Sequence, residues 1–147
     1  MSLIFSLLPE TELTLKIILA LLFGSLIGLE RTFAKKQAGL RTFALVSLGA
    51  CLFIIIALKI GEETSVESVS RVLSNIVVGI GFLGAGLIFF QQDKIVGLTT
   101  ASALWVTAAL GATIGLGYYR LAFLTLILTL VLLRLVGYFE LKIKHEK

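Results

Sequence analysis

The sequence predicts an all-α fold: a polytopic membrane protein with five transmembrane helices in a compact bundle. Three observations support this fold class. Hydrophobic residues make up 58% of the 147 residues, and the mean hydropathy is +1.05, both high for a soluble domain. Only 15% of the residues are charged. Apolar runs near the ~20 residues that cross a bilayer alternate with short polar segments.

The five predicted spans cover most of the chain and leave little of it for a soluble domain. They are residues 13–29, 40–58, 69–90, 95–116 and 121–139. The chain therefore divides into an N-terminal segment, a transmembrane domain and a short basic cytoplasmic tail. These are residues 1–12, 13–139 and 140–147, respectively.

The first span follows Pro9, Glu10 and Glu12, since proline and acidic residues favour the first turn of a helix. Within this span Gly24 and Gly28 are four residues apart. That spacing predicts a face that packs closely against another membrane helix. The second span then separates a basic loop from an acidic segment.

The third span contains a glycine-rich apolar run, residues 77–90, around which we expect the bundle to be organised. Its Gly-x-Gly-x-x-Gly pattern matches the dinucleotide-binding fingerprint, but that motif requires a preceding strand within a βαβ unit. On a helix, Gly79 and Gly86 share one face, and Gly81 and Gly84 share the opposite face. Two glycine faces predict a central helix with two close neighbours. The alternative is that glycine is simply common in membrane helices.

The fourth span is rich in alanine, threonine and glycine. Gly111 and Gly115 predict a further tightly packed face. Thr99 and Thr100 near its start are candidates for a polar contact, because hydroxyls in membrane helices bond to their own backbone or to a neighbouring helix. The fifth span follows a break at residues 117–120 and leads into the basic tail.

The distribution of basic residues predicts the orientation. Eight basic residues lie on the side of the C-terminus and four on the other side, which places the N-terminus outside and the C-terminus in the cytoplasm. The first group is Arg31, Lys35, Lys36, Arg41, Lys94, Lys142, Lys144 and Lys147, and the second is Lys16, Lys59, Arg71 and Arg120.

Charged residues at the inner ends of the spans are candidates for a ligand or partner site, because removing them from water is costly. Glu30, Arg31, Arg41 and Asp93 are predicted to meet there, and Glu30 is expected to pair with Arg41. Ordinary anchoring at the interface is the alternative, and it is favoured for Arg31.

A second polar feature enters the third span from the outer side. On a helix, Thr64, Ser68, Arg71 and Asn75 lie within about 60° of one another. This line predicts either a polar clamp between helices, which we favour, or one wall of an ion pathway.

Several classes of function find no support in the sequence. The chain contains no Ser/His/Asp or Cys/His set, no phosphate-binding loop and no cluster of metal ligands. We therefore expect no enzyme activity, no catalytic residue, no cofactor and no metal site. The net charge of +4 is small and concentrated in loops, so a nucleic acid partner is not expected.

Four motifs together resemble the MgtC/SapB membrane family in their order and spacing. The resemblance covers roughly residues 13–139. The motifs are Gly28-Leu29-Glu30-Arg31, Ala38-Gly39-Leu40-Arg41-Thr42, Gly79-Ile80-Gly81-Phe82-Leu83-Gly84-Ala85-Gly86 and Gly97-Leu98-Thr99-Thr100-Ala101-Ser102-Ala103-Leu104-Trp105.

The resemblance implies a multi-pass protein of the bacterial inner membrane, linked to growth at low magnesium and to restraint of the ATP synthase. The virulence-linked members carry a cytoplasmic regulatory domain after the fifth span, whereas this sequence ends at Lys147. Our leading hypothesis is a regulatory or interaction protein in the lipid bilayer, a homodimer, that acts through helix contacts with another membrane protein such as the ATP synthase. The alternative is a transporter or channel for Mg²⁺, Na⁺ or H⁺, with Asn75, Arg71, Glu30 and Asp93 along its route.

Overall fold

The computed structural model describes residues 10–63, 66–91 and 93–136, which form five helices and one short hairpin. The elements are α1 (Glu10–Phe33), α2 (Leu40–Glu63), α3 (Val66–Ala85), β1 (Phe89–Gln91), β2 (Lys94–Val96), α4 (Leu98–Gly115) and α5 (Tyr119–Val131). Residues Leu132–Val136 continue α5 as a π-helical turn. The helical fold predicted from the sequence is confirmed.

Among the described helices, three are long and apolar enough to cross a membrane: α1, the segment Leu40–Ile60 of α2, and α4. The apolar part of α3, Val69–Ala85, is shorter, and α5 has 13 residues. The arrangement of five spans therefore stays a prediction. The predicted N-terminal segment up to residue 9, Thr64 and the basic tail lie outside the described residues.

A β-hairpin replaces the junction that was predicted between the third and fourth spans. Helix α3 ends at Ala85, and a turn follows in which Leu87 N–H donates to the Gly84 carbonyl at 3.0 Å. Strands β1 and β2 then pair antiparallel, with Phe89 opposite Val96. Aromatic and β-branched residues favour extended backbone, so the apolar residues after Ala85 form strands although their hydropathy suits a span.

Helix α4 is the central element of the bundle. It packs against α1, α2, α3 and α5, and 61% of its most apolar segment is buried, compared with 28% for α1. Leu104, Leu110 and Ile114 of α4 are almost completely buried, together with Phe43 and Ile54 of α2. The sequence analysis had assigned the central position to α3 instead.

Glycines allow α2 to approach both α1 and α4 closely. A Cβ atom added at Gly24 of α1 would lie 2.6 Å from the carbonyl oxygen of Phe43, and one at Gly28 would lie 2.7 Å from the Leu40 Cα. On α4, a Cβ at Gly115 would lie 2.9 Å from the Cys51 carbonyl oxygen. These distances leave no room for a side chain, so the glycines set how closely the helices pack.

Helix α3 lies at the edge of the bundle and packs against α2 and α4. Added Cβ atoms at Gly79 and Gly81 would have no neighbouring atom within 4 Å, and one at Gly84 would lie 3.8 Å from the Ala101 Cβ. Gly86 falls in the turn after the helix. Within the described chain, α3 therefore contacts its neighbours through one side and leaves open the side centred on Val78 and Phe82, with Gly79 and Gly81 at its two edges.

Candidate functional site

One end of the bundle collects most of the polar residues identified in the sequence. It consists of the end of α1, the α1–α2 loop (residues 34–39), the hairpin and the first turn of α4. We call this region the loop end. It differs from the rest of the bundle because polar side chains and polar backbone groups from several segments lie close together there.

Glu30 and Arg31 form a buried ion pair in the last turn of α1. Arg31 Nη2 donates to Glu30 Oε1 at 2.7 Å, and Arg31 Nε donates to Glu30 Oε2. Only 3% of the Arg31 surface and 8% of the Glu30 surface are exposed. Two parallel hydrogen bonds fix the geometry of the pair, and the mutual attraction offsets part of the cost of removing both charges from water.

Arg41 and Asp93 do not join this pair. Arg41 is exposed in the first turn of α2, and Asp93 is exposed at the hairpin turn, where its φ is 61°. Among the described residues, Glu30 forms its ion pair with Arg31 and not with the expected Arg41. Helical spacing gives no hint of this, because consecutive side chains on a helix normally point apart.

Thr32 connects the two helices of the loop end, and the sequence analysis had not identified it. Its hydroxyl donates to the Gly28 carbonyl at 3.0 Å and accepts from the backbone N–H of Leu40, also at 3.0 Å. The second bond satisfies an N–H group at the start of α2 that has no partner within the helix. Thr32 thus caps α2 from the end of α1.

Thr99 and Thr100 lie in the first turn of α4, beside a cavity of about 420 Å³. The α1–α2 loop forms the opposite wall of this cavity with Lys35, Lys36 and Gln37. The structure therefore brings the two threonines of the predicted fourth span together with the basic loop, a combination that was not predicted from the sequence.

Arg71 and Asn75 are both exposed on α3, away from the loop-end cavity. Asn75 lines a second cavity, of about 640 Å³, between α2 and α3. We call it the α2–α3 groove. Its other walls are apolar and are formed by Leu45, Val46, Gly49, Ala50, Phe53, Val72, Ile76, Gly79, Ile80 and Leu83.

A further polar cluster, which the sequence analysis missed, lies at the start of α1. Lys16 is 4% exposed and forms an ion pair with Glu12 at 3.4 Å, and Tyr119 Oη donates to the same Glu12 carboxylate at 3.5 Å. Burial, and then the Glu12 carboxylate, raise the pKa of the Tyr119 phenol. The sequence signal that could have predicted this cluster is a lysine four residues after a glutamate in an apolar run.

Within the part of the chain that the structure describes, no group of three His, Cys, Asp or Glu side chains is arranged to hold a metal ion. The two cavities described above offer different chemical groups. The loop-end cavity offers hydroxyl, ammonium and amide donors, whereas the α2–α3 groove offers an apolar surface with one amide side chain.

Comparison with known proteins gives consistent matches. The model of a family described as MgtC family matches residues 17–141. Protein SrpB of Synechococcus elongatus is 38% identical, and the alignment covers 86% of this chain. YhiD of Escherichia coli K12, which its name describes as a candidate magnesium transporter, is 42% identical over 83% of the chain. Protein MgtC of Salmonella typhimurium is 43% identical over 79% of the chain.

The relatives differ from this chain in length. The aligned part is 77% of SrpB but 59% of YhiD and 48% of MgtC. The chain therefore spans about half the length of MgtC. No solved structure matches it.

Proposed function

Because this chain belongs to the MgtC family, we propose that it is a magnesium-related membrane protein that regulates another membrane protein through helix contacts. The magnesium link is supported by the name of YhiD. The regulatory mechanism is supported chiefly by one structural observation, the open face of α3.

The open face of α3 combines small residues with large exposed apolar ones. Gly79 and Gly81 have free space where a side chain would be, while Val78 is 73% exposed and Phe82 is 81% exposed. In lipid, a surface of small residues allows another helix to approach closely, and close packing drives helix association there. Gly79 also borders the α2–α3 groove, so a partner helix on this face would also cover the groove.

Asn75 gives this surface a polar contact of its own. It is exposed, it lines the otherwise apolar α2–α3 groove, and its amide has both donors and acceptors. In hydrocarbon such an amide gains about 0.6–2 kcal/mol from a partner on a neighbouring helix. The face therefore has the composition of a helix-binding surface with one specificity-determining residue.

The experiment uses leucine substitutions on the open face. Gly79→Leu and Gly81→Leu place a side chain where the chain itself has free space, so we expect unchanged thermal stability in detergent. In a bacterium that depends on this protein for growth at low magnesium, the same variants should fail to support growth. Leu124→Ala, at an exposed position of α5, is the matched control and should grow normally. Normal growth of both leucine variants would contradict the proposed surface.

Crosslinking from the same face identifies the occupant. Cysteine at Val78, which is exposed on α3, would be linked in native membranes to whatever helix covers it. A product of twice the chain mass would identify the predicted homodimer, and a heavier product containing a subunit of the ATP synthase would identify that partner. Cysteine at Leu124 should give neither product.

Transport of a cation is the second candidate, and the name of YhiD favours it. The α2–α3 groove with Asn75 is then the route to test. Purified protein in liposomes should show no saturable flux of Mg²⁺, Na⁺ or H⁺ if it acts only through contacts. Saturable Mg²⁺ flux that Asn75→Leu abolishes would replace regulation with transport.

A further inference from the structure

The loop-end cavity is lined by three separate segments of the chain. The α1–α2 loop contributes Lys35, Lys36 and Gln37, the hairpin contributes one wall, and the first turn of α4 contributes another. Its volume is about 420 Å³. Among the described residues that line it, the two lysines are charged and none is acidic, so the lining carries a net positive charge.

Backbone donors at the start of α4 face this region without partners. The first helical bond of α4 runs from Ala101 N–H to the Gly97 carbonyl at 2.9 Å. The N–H groups of Leu98, Thr99 and Thr100 precede it and donate no hydrogen bond to any described residue. Gly97, the N-cap residue, has no side chain to cap them. Unpaired N–H groups at the positive end of an 18-residue helix attract an anion.

The hydroxyl of Thr100 is the second and independent observation. Thr100 is only 5% exposed and lines the cavity, and its hydroxyl makes no hydrogen bond to a described residue. Other hydroxyls of the same helix are satisfied: Ser102 donates to the Leu98 carbonyl at 2.9 Å and Thr107 to the Ala103 carbonyl at 2.8 Å. The Thr100 hydroxyl, on a nearly buried side chain that lines the cavity, is therefore free to donate to a group bound there.

We propose that the loop-end cavity binds a phosphate group, with Thr100 and the N-terminus of α4 as hydrogen-bond donors and Lys35 and Lys36 as counter-charges. Every group in this set is a donor or a cation, and a phosphate has several acceptor oxygens and a negative charge. The phosphate of an anionic lipid headgroup and free phosphate share this chemistry. The proposal depends neither on magnesium nor on the open face of α3.

The test measures binding of two probes to the purified, delipidated protein. Inorganic phosphate is titrated by equilibrium dialysis, and phosphatidylglycerol is counted by native mass spectrometry against diacylglycerol, which lacks the phosphate. The variants are Thr100→Val, which keeps the shape but removes the hydroxyl, and the double variant Lys35→Gln/Lys36→Gln. Since both lysines are exposed, the double variant should fold normally.

The matched control variants remove a threonine hydroxyl and two lysine charges at positions that do not line the cavity. Thr113→Val deletes a hydroxyl of α4 that already donates to the Ala109 carbonyl at 2.7 Å. Lys59→Gln/Lys94→Gln deletes two exposed charges that do not line the cavity. We expect Thr100→Val to bind about tenfold more weakly, as is typical when one hydrogen bond to a charged group is lost, the double lysine variant to lose at least as much, and the controls to bind as the original chain does.

Each outcome decides the proposal. Binding of inorganic phosphate that both cavity variants weaken would support a site for a soluble phosphate. Binding of phosphatidylglycerol alone, weakened in the same way, would support a lipid headgroup site. The proposal is wrong if neither probe binds, if Lys35→Gln/Lys36→Gln binds as tightly as the original chain, or if the controls lose as much affinity as the cavity variants.

Discussion

Gly111 of α4 lies directly against the backbone of Ser47 in α2. A Cβ atom at Gly111 would be 2.9 Å from the Ser47 Cα and would overlap its carbonyl group. Backbone atoms cannot rotate aside as the end of a side chain can. The contact therefore fixes the distance between the central helix and α2.

Gly111→Ala should destabilise the protein by about 1–3 kcal/mol, the usual cost of overpacking a well-packed core. Gly81→Ala is the matched control, because a methyl group there meets no atom within 4 Å. The control should be neutral or more stable by up to about 1 kcal/mol, since alanine is the better helix former. Thermal unfolding in detergent compares the two variants. Equal stability of both would mean that α2 and α4 are further apart than the structure shows.

A substitution at Ser47 is expected to stabilise the protein, in contrast to the one at Gly111. Its side chain is completely buried, and within the described chain its Oγ has no hydrogen-bond partner. A buried, unpaired hydroxyl is unfavourable compared with an apolar group of similar size. Ser47→Ala should therefore raise the free energy of unfolding by about 1 kcal/mol. Thr107→Ala, which removes a hydroxyl that is bonded to the Ala103 carbonyl, should lower it.

The helices were largely predictable from the sequence because apolar runs and polar breaks follow from the bilayer. The identity of the central helix was not predictable in this way. The glycine content of α3 suggested that it was the central helix. A glycine pattern shows only that a close approach is possible, and α4 is the helix that contacts neighbours on several sides. Gly24, Gly28, Gly111 and Gly115 are in close contacts, whereas Gly79 and Gly81 are not.

The candidate site was only partly predictable, because sequence gives the depth of a residue more readily than its partner. Glu30 and Arg41 end and begin adjacent helices, so pairing was reasonable, yet Glu30 bonds to Arg31. The cavity beside Thr100 depends on three segments that are distant in sequence. Nothing in the local pattern around any one of them indicates that they meet.

The orientation in the membrane is a prediction that labelling can test. Helix α2 has 24 residues and is therefore ~36 Å long, so we expect residue 35, in the loop before it, and residue 63, at its end, to lie near opposite membrane surfaces. The count of eight basic residues against four in the sequence predicts that Lys35 lies in the cytoplasm. In a Cys51→Ser background, an impermeant thiol reagent applied to intact cells should label Glu63→Cys and not Lys35→Cys. The reverse pattern would invert the orientation.

The ion pair of Glu30 and Arg31 gives the last prediction. Both side chains are almost completely buried, and two hydrogen bonds join them. Removing one partner leaves the other charge buried and uncompensated, which costs about 3–5 kcal/mol. Glu30→Gln and Arg31→Gln should each lower the free energy of unfolding by that amount. Arg41→Gln, at an exposed position, should change it by less than about 0.5 kcal/mol.

The double variant separates a true pair from two independent anchors. If Glu30 and Arg31 stabilise each other, Glu30→Gln/Arg31→Gln should lose less stability than the sum of the single losses, because neither charge is left alone. The same cycle with Glu30 and Arg41 should be additive within about 0.5 kcal/mol, as for residues that share no contact. Coupling in the second cycle and additivity in the first would show that Arg41, not Arg31, is the partner of Glu30.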